Sequence, residues 1–258
     1  MKKTLAIIIL LTMASIMYAS VLGLKGTLPY AEFVMGEAIP YTLVIDNHGA
    51  TTFLVDDFGE GLNNKVELRM RKRRGEVLDS KTGMHFGEIL VLPDKAQTYQ
   101  ADLTHWFNLT PGSYQVEAVV IRGDVVVATP LLSFAIVPGL EIGTLKRAIP
   151  GYDTMTRDYT VLYWPRKGQE ILFLRVTEHP SGVTRMLELG NVVRSTDPKV
   201  EFTDRGTLII THQASRNVSI ITTIISERFR FEVINRERIV RPDPPTAAPP
   251  ATDKRNRR

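Results

Sequence analysis

Residues 109–120 read LTPGSYQVEAVV, and this stretch decides the fold. Pro111 and Gly112 form a turn pair, because proline presets one backbone angle and glycine accepts conformations closed to other residues. From Tyr114 to Val120 every second residue is apolar. A period of two indicates a strand that buries one face. The stretch therefore predicts a tight turn followed by a half-buried β-strand.

The same alternation recurs on both sides of this stretch, and turn residues separate the repeats. Further strands are predicted at 39–45, 66–70, 99–103 and 132–136. Together they give about seven short strands between residues 28 and 138. A strand with one apolar face must bury that face against another layer, so we expect two packed sheets. The sequence predicts an all-β fold that begins with a β-sandwich at 28–138.

Two stretches of this block carry a family resemblance. Residues 33–43, FVMGEAIPYTL, resemble the first strands of bacterial immunoglobulin-like or macroglobulin-type domains. Residues 109–114 are similar to the L-x-P-G-x-Y approach to the penultimate strand of such domains. The resemblance implies an immunoglobulin-like sandwich, and that the Tyr114 hydroxyl bonds back to the chain as a corner tyrosine. It implies a fold and no activity.

A second antiparallel β domain is predicted at 140–239. Residues 164–175 and 202–212 form a faint internal repeat, and each repeat resembles one four-stranded blade of a β-propeller. Propellers need roughly four to eight blades, so two units must pack on each other, on the first domain or on another chain. The predicted strands of this domain are 160–164, 170–177, 184–189, 199–203, 207–213, 218–225 and 229–234.

The N-terminus predicts export from a bacterial cell. Lys2 and Lys3 precede an apolar run, Leu5–Leu11, and small residues follow up to Ser20. This order is typical of a signal peptide, here residues 1–20. An uncleaved anchor is the alternative, because about 20 apolar residues span a bilayer. Either way we expect a periplasmic or extracellular location, with membrane contact only through an uncleaved N-terminal segment.

The net charge of +4 and the pI near 9.3 come from the termini. Together the two termini carry a larger positive charge than the net charge of the whole chain. The body between them, residues 4–235, therefore has a net charge of −2. A slightly negative body does not attract phosphates over a broad surface, so no nucleic acid is expected as a partner. Residues 240–258 are rich in proline and basic side chains and are predicted to be a disordered tail.

The motifs of the common catalytic classes are missing from the sequence. The chain has no cysteine, no G-x-S-x-G elbow, no phosphate-binding glycine loop and no H-E-x-x-H pair. The acidic segment 56–64 carries oxygen ligands that suit calcium but lacks the spacing of a calcium loop. We therefore predict no enzyme, no cofactor and no metal.

Candidate ligand contacts are of two kinds. Arg71, Arg73 and Arg74 belong to the densest basic run and indicate either an anion-binding patch or the charged tip of a hairpin. Trp106 and Trp164 stand at strand ends, where an aromatic ring stacks on a sugar or packs in a core.

These observations predict a non-catalytic interaction or structural module of the cell envelope. Its partner would be a protein or an envelope polymer, bound through sheet edges and loops. Two alternatives stay open: a carbohydrate-binding or glycan-processing protein, and a proteinase inhibitor built on the sandwich. The sequence does not give the oligomeric state.

Overall fold

The computed structural model describes most of the chain, and the described part is all-β apart from one short helix, α1 (Leu103–Trp106). The predicted signal peptide at 1–20, residues 56–63 of the acidic segment and the tail from 242 onward lie outside the described residues. No helix in the described part has the length and hydropathy needed to cross a membrane. The described residues are 21–55, 64–81, 85–122, 125–149, 152–203, 206–227 and 230–241.

The chain divides into two compact units between Gly139 and Leu140. The strands described in the first unit are β1 (Leu22–Thr27), β2 (Glu32–Val34), β3 (Pro40–Asn47), β4 (Phe53–Val55), β5 (Asn64–Lys72), β6 (Val77–Leu78), β7 (Ile89–Val91), β8 (Lys95–Asp102), β9 (Gly112–Arg122), β10 (Val125–Ala128) and β11 (Leu132–Val137). Those of the second are β12 (Leu140–Ile149), β13 (Tyr152–Arg166), β14 (Gln169–His179), β15 (Thr184–Asn191), β16 (Lys199–Phe202), β17 (Leu208–Ser215), β18 (Val218–Ser226) and β19 (Phe231–Val240).

Two sheets of the first unit enclose one apolar core. One has the order β1-β3-β8, and the other has the order β2-β11-β9-β5-β6 with β10 paired to β9. A short β4-β7 pair completes the unit. Tyr41 and Leu43 of β3 belong to the same buried cluster as Tyr114 and Val116 of β9. The first unit is therefore a sandwich-like β structure whose two larger sheets bury their apolar faces together.

The alternation of apolar residues locates β3, β5, β8, β9 and β11 correctly, but two features differ from the prediction. The predicted strand 99–103 ends at Asp102, whose side chain accepts a hydrogen bond from the Thr104 backbone N–H and caps α1. An N-cap of this kind favours a helical turn over continued strand. In addition, β1 precedes residue 28 and pairs with β3 along its whole length.

The second unit contains the two predicted four-stranded antiparallel sheets. Their orders are β12-β13-β14-β15 and β16-β17-β18-β19. Leu172 and Leu174 of the first sheet share a buried cluster with Leu208, Ile210 and Ile224 of the second. The two sheets therefore pack on each other.

The predicted internal repeat does not correspond to equivalent strands. Residues 164–175 belong to β13 and β14, which are the two central strands of their sheet, whereas 202–212 belong to β16 and β17 at one side of theirs. The sequence missed β12, which occupies the outer position beside β13. Most of β12 is exposed, so it has no regular apolar face for a pattern to reveal.

Candidate functional site

The basic run of the sequence forms the turn between β5 and β6. Lys72 N–H donates to the Glu76 carbonyl at 2.8 Å, and Gly75 N–H donates to the Lys72 carbonyl at the same distance. Gly75 has a φ of +91°, a conformation that residues with a Cβ atom rarely adopt. The turn therefore depends on this glycine and leaves Arg73 and Arg74 exposed at its tip.

A second segment, the approach to β9, is fixed beside this turn. Arg73 N–H donates to the Ser113 carbonyl at 3.0 Å. The buried Tyr114 donates its hydroxyl to the Thr110 carbonyl at 2.6 Å and accepts from the Thr110 N–H at 3.1 Å. The hydrogen bond predicted for Tyr114 is thus confirmed. Both segments are held by backbone hydrogen bonds, which makes the space between them preformed.

That space is a surface pocket, here called the basic pocket. Its volume is about 730 Å³, within the range of small-ligand sites. One wall is the β5–β6 turn and the other is the approach to β9. The lining residues are Lys72, Arg73, Arg74, Glu76, Thr110, Pro111 and Ser113.

The charges of the basic pocket are only partly balanced. Lys72 Nζ lies 2.9 Å from Glu76 Oε2, and this hydrogen bond raises the pKa of Lys72. Among the described residues, no carboxylate forms an ion pair with Arg73 or Arg74. Two guanidinium groups therefore remain available to an anionic ligand. Arginine suits this role because its planar fork matches carboxylate and phosphate oxygens.

The predicted basic contacts separate into two groups. Arg73 and Arg74 line the basic pocket. Arg71 does not, because it lies on the outer face of β5, where its Nε donates to Gln115 Oε1 at 3.1 Å. The structure therefore brings together the two arginines of the turn and leaves the strand arginine engaged with β9.

Neither tryptophan is among the residues that line the basic pocket. Trp106 is a half-buried residue of α1 that meets the His85 ring edge-on, with 4.8 Å between ring centroids. Trp164 is half-buried on β13 of the second unit. Trp106 packs against the core of the first unit, so only part of its ring is open to a ligand.

Lys72 and Glu76 of the turn were not among the predicted contacts. Nor were the three lining residues of the approach to β9, Thr110, Pro111 and Ser113. Their sequence signal is the corner tyrosine itself: a buried Tyr114 that bonds back to Thr110 requires a fixed loop before β9. What the sequence alone does not give is the register that pairs Lys72 with Tyr114 and brings this loop to the β5–β6 turn.

Two buried histidines, His85 and His212, also have a perturbed environment. His85 Nδ1 accepts from the Leu68 N–H at 2.9 Å, and burial lowers the pKa of His85. Burial also lowers the pKa of His212, and the nearby Asn191 backbone partly opposes this shift. Neither ring nitrogen of His212 forms a hydrogen bond with a described residue. Within the described ranges, no three His, Asp or Glu side chains converge as a metal site.

Comparison with protein-family models and with curated proteins gives no match for this chain. Among solved structures, the chain is similar to the crystal structure of Spo0M, a sporulation control protein from Bacillus subtilis. The identity is 7%, the TM-score is 0.27, and the match covers 66% of this chain and 91% of that chain. A likeness of this size supports no conclusion about function.

Proposed function

We propose that the chain is an exported, non-catalytic interaction module of the bacterial cell envelope, and that the basic pocket of its first unit binds a protein partner. The observation that carries the proposal is the pair of arginines, Arg73 and Arg74, that share a preformed pocket and lack ion-pair partners among the described residues. Because the backbone that carries both arginines is already fixed, binding orders only their side chains, which favours affinity.

The proposed export rests on the N-terminal pattern, and one structural feature supports it. β1 begins at Leu22, immediately after the segment 1–20 that we assign as a signal peptide. Leu22 is buried and contributes to the core of the first unit. Cleavage near Ser20 would release a chain whose first strand is intact.

We also assign the first unit to the immunoglobulin-like or macroglobulin-type sandwiches. The Tyr114 corner supports this assignment, since its hydroxyl bonds back to Thr110 in the way such sandwiches use their corner tyrosine. Domains of this architecture serve many functions, so the assignment concerns the fold, and the binding role rests on the pocket.

The test is capture from an envelope extract by the tagged mature chain. We expect the wild-type protein to retain a specific partner, and the Arg73→Glu/Arg74→Glu double variant to lose it because both cations of the pocket are reversed. Arg216→Glu, an exposed arginine on a turn of the second unit, is the matched control and should retain the partner. Equal capture by the wild type and the double variant would refute the role of the basic pocket.

A further inference from the structure

The charge of the basic pocket is local. Lys72 and Glu76 neutralise each other, with 2.9 Å between Nζ and Oε2, so the net charge comes from Arg73 and Arg74, which form no ion pair within the described part of the chain. On β5, Arg69 Nη2 lies 3.4 Å from Glu67 Oε2, whereas Arg71 donates to the neutral Gln115 amide and keeps its charge. Neither Arg69 nor Arg71 lines the pocket, so the cations of its lining are Lys72, Arg73 and Arg74.

A polyanion does not fit this distribution well. A phosphate-rich polymer binds through a row of cations, because each phosphate needs its own counter-charge. Here Lys72 is neutralised by Glu76, so the lining offers such a polymer only the two counter-charges of Arg73 and Arg74. The net charge of −2 on the body of the chain gives no long-range attraction to such a polymer.

The other lining groups suit a peptide. Ser113 supplies a hydroxyl, Pro111 supplies an apolar ring, and the Thr110 hydroxyl lies 3.3 Å from that of Tyr114. Val77, the residue after Glu76, is 72% exposed on β6 and offers an apolar contact beside the pocket. Two cations, hydroxyls and a small apolar surface match a short acidic segment that also carries an aliphatic side chain.

We infer that the basic pocket binds an acidic peptide segment of the partner protein, with carboxylates on Arg73 and Arg74 and a neighbouring aliphatic side chain on Val77. This inference rests on the proposed function and names the chemistry that its site recognises. Each guanidinium pairs with a carboxylate through two parallel N–H···O hydrogen bonds.

The test is a fluorescence anisotropy titration of the full chain with a labelled short peptide in which two glutamates precede a leucine. We expect saturable binding that weakens about tenfold or more when both glutamates are replaced by glutamine or when the protein carries Arg73→Gln/Arg74→Gln. Arg216→Gln should bind like the wild type. Val77→Ser should weaken binding by a smaller factor, since it removes only the apolar contact.

Inorganic polyphosphate is the competing probe in the same titration. If it binds more tightly than the acidic peptide and depends on the same two arginines, the inference is overturned in favour of a polyanion site. If neither probe binds, or if the glutamine peptide binds as well as the glutamate peptide, the inference is also overturned. Capture of a partner that depends on Arg73 and Arg74 would still support the proposed function, so the two failures are distinguishable.

Discussion

At the scale of single residues, Tyr114 connects the core of the first unit to the basic pocket. Its ring is 1% exposed and stacks on Phe134, with 5.6 Å between ring centroids. Its hydroxyl holds the backbone of Thr110 on both the N–H and the carbonyl side. One side chain therefore stabilises the sandwich and fixes one wall of the binding site.

Tyr114→Phe keeps the ring and removes only the hydroxyl. We expect a loss of about 0.5–1.5 kcal/mol in the free energy of unfolding, because the hydrogen bonds between the Tyr114 hydroxyl and the Thr110 backbone are removed. Partner capture should weaken as well, since the wall that contains Pro111 is no longer held. Urea unfolding and envelope capture measure the two effects.

Tyr99→Phe is the matched control for this variant. The Tyr99 hydroxyl bonds to the N–H and the carbonyl of Leu90 at 3.0 and 2.9 Å, and Tyr99 does not line the basic pocket. We expect Tyr99→Phe to lower stability and leave capture unchanged. If both variants capture the partner equally, Tyr114 has no role in the site.

We expect His212 to make the stability of the second unit depend on pH. It is 3% exposed, and burial lowers the pKa of His212 below the ordinary value of about 6.5. The unfolded chain therefore takes up a proton at a pH where the folded chain does not. The stabilising effect of the neutral imidazole is present above pH ~6.5 and is lost as the pH falls, at up to about 1.4 kcal/mol per pH unit.

His212→Leu tests this dependence, since leucine occupies the buried site without titrating. We expect its thermal unfolding midpoint to fall less between pH 7 and about pH 5 than that of the wild type. His105→Gln is the control, because the His105 side chain is 77% exposed. Its unfolding midpoint should change with pH as that of the wild type does. If the unfolding midpoint of His212→Leu falls with pH as steeply as that of the wild type, another group causes the acid sensitivity.

At the scale of elements, the β5–β6 hairpin presents the binding residues. Its tip is a four-residue turn in which Gly75 supplies the left-handed conformation. The tip is attached to β9 by the Arg73 N–H to Ser113 carbonyl hydrogen bond. The positions of Arg73 and Arg74 thus follow from backbone geometry more than from their own side-chain contacts.

Gly75→Ala therefore has a direct effect on the site. No atom lies within 4 Å of the added Cβ, so the cost comes from the positive φ and amounts to about 1 kcal/mol or more. We expect a shift of the turn that weakens capture of the partner. Gly143→Ala is the control, because that position also has open space and lacks a positive φ. We expect it to leave capture of the partner unchanged. Equal effects of the two substitutions would show that the backbone conformation of Gly75 does not position the site.

The sequence predicts these elements to different degrees. Alternation identifies β5 and β9 because each buries one apolar face, as with Val66, Leu68 and Met70. Short strands such as β6 have too few residues to show a period. The pairing of Lys72 with Tyr114 depends on strand register, which tertiary packing selects, so the sequence predicted Arg73 and Arg74 but not their apposition to Thr110.

At the scale of the whole molecule, the chain consists of two all-β units with separate cores on either side of Gly139. The basic pocket belongs entirely to the first unit. We propose that the chain acts by binding a partner at that pocket.

Site-specific photo-cross-linking in intact cells tests this claim most directly. A photoreactive side chain replaces the exposed Ser113 in the pocket wall, and in a second strain it replaces the exposed Ser181 on a turn of the second unit. The account predicts a discrete cross-linked protein from position 113, its loss in the Arg73→Glu/Arg74→Glu background, and none from position 181. A cross-link from position 113 that persists in that background, or one that forms only from position 181, would contradict it.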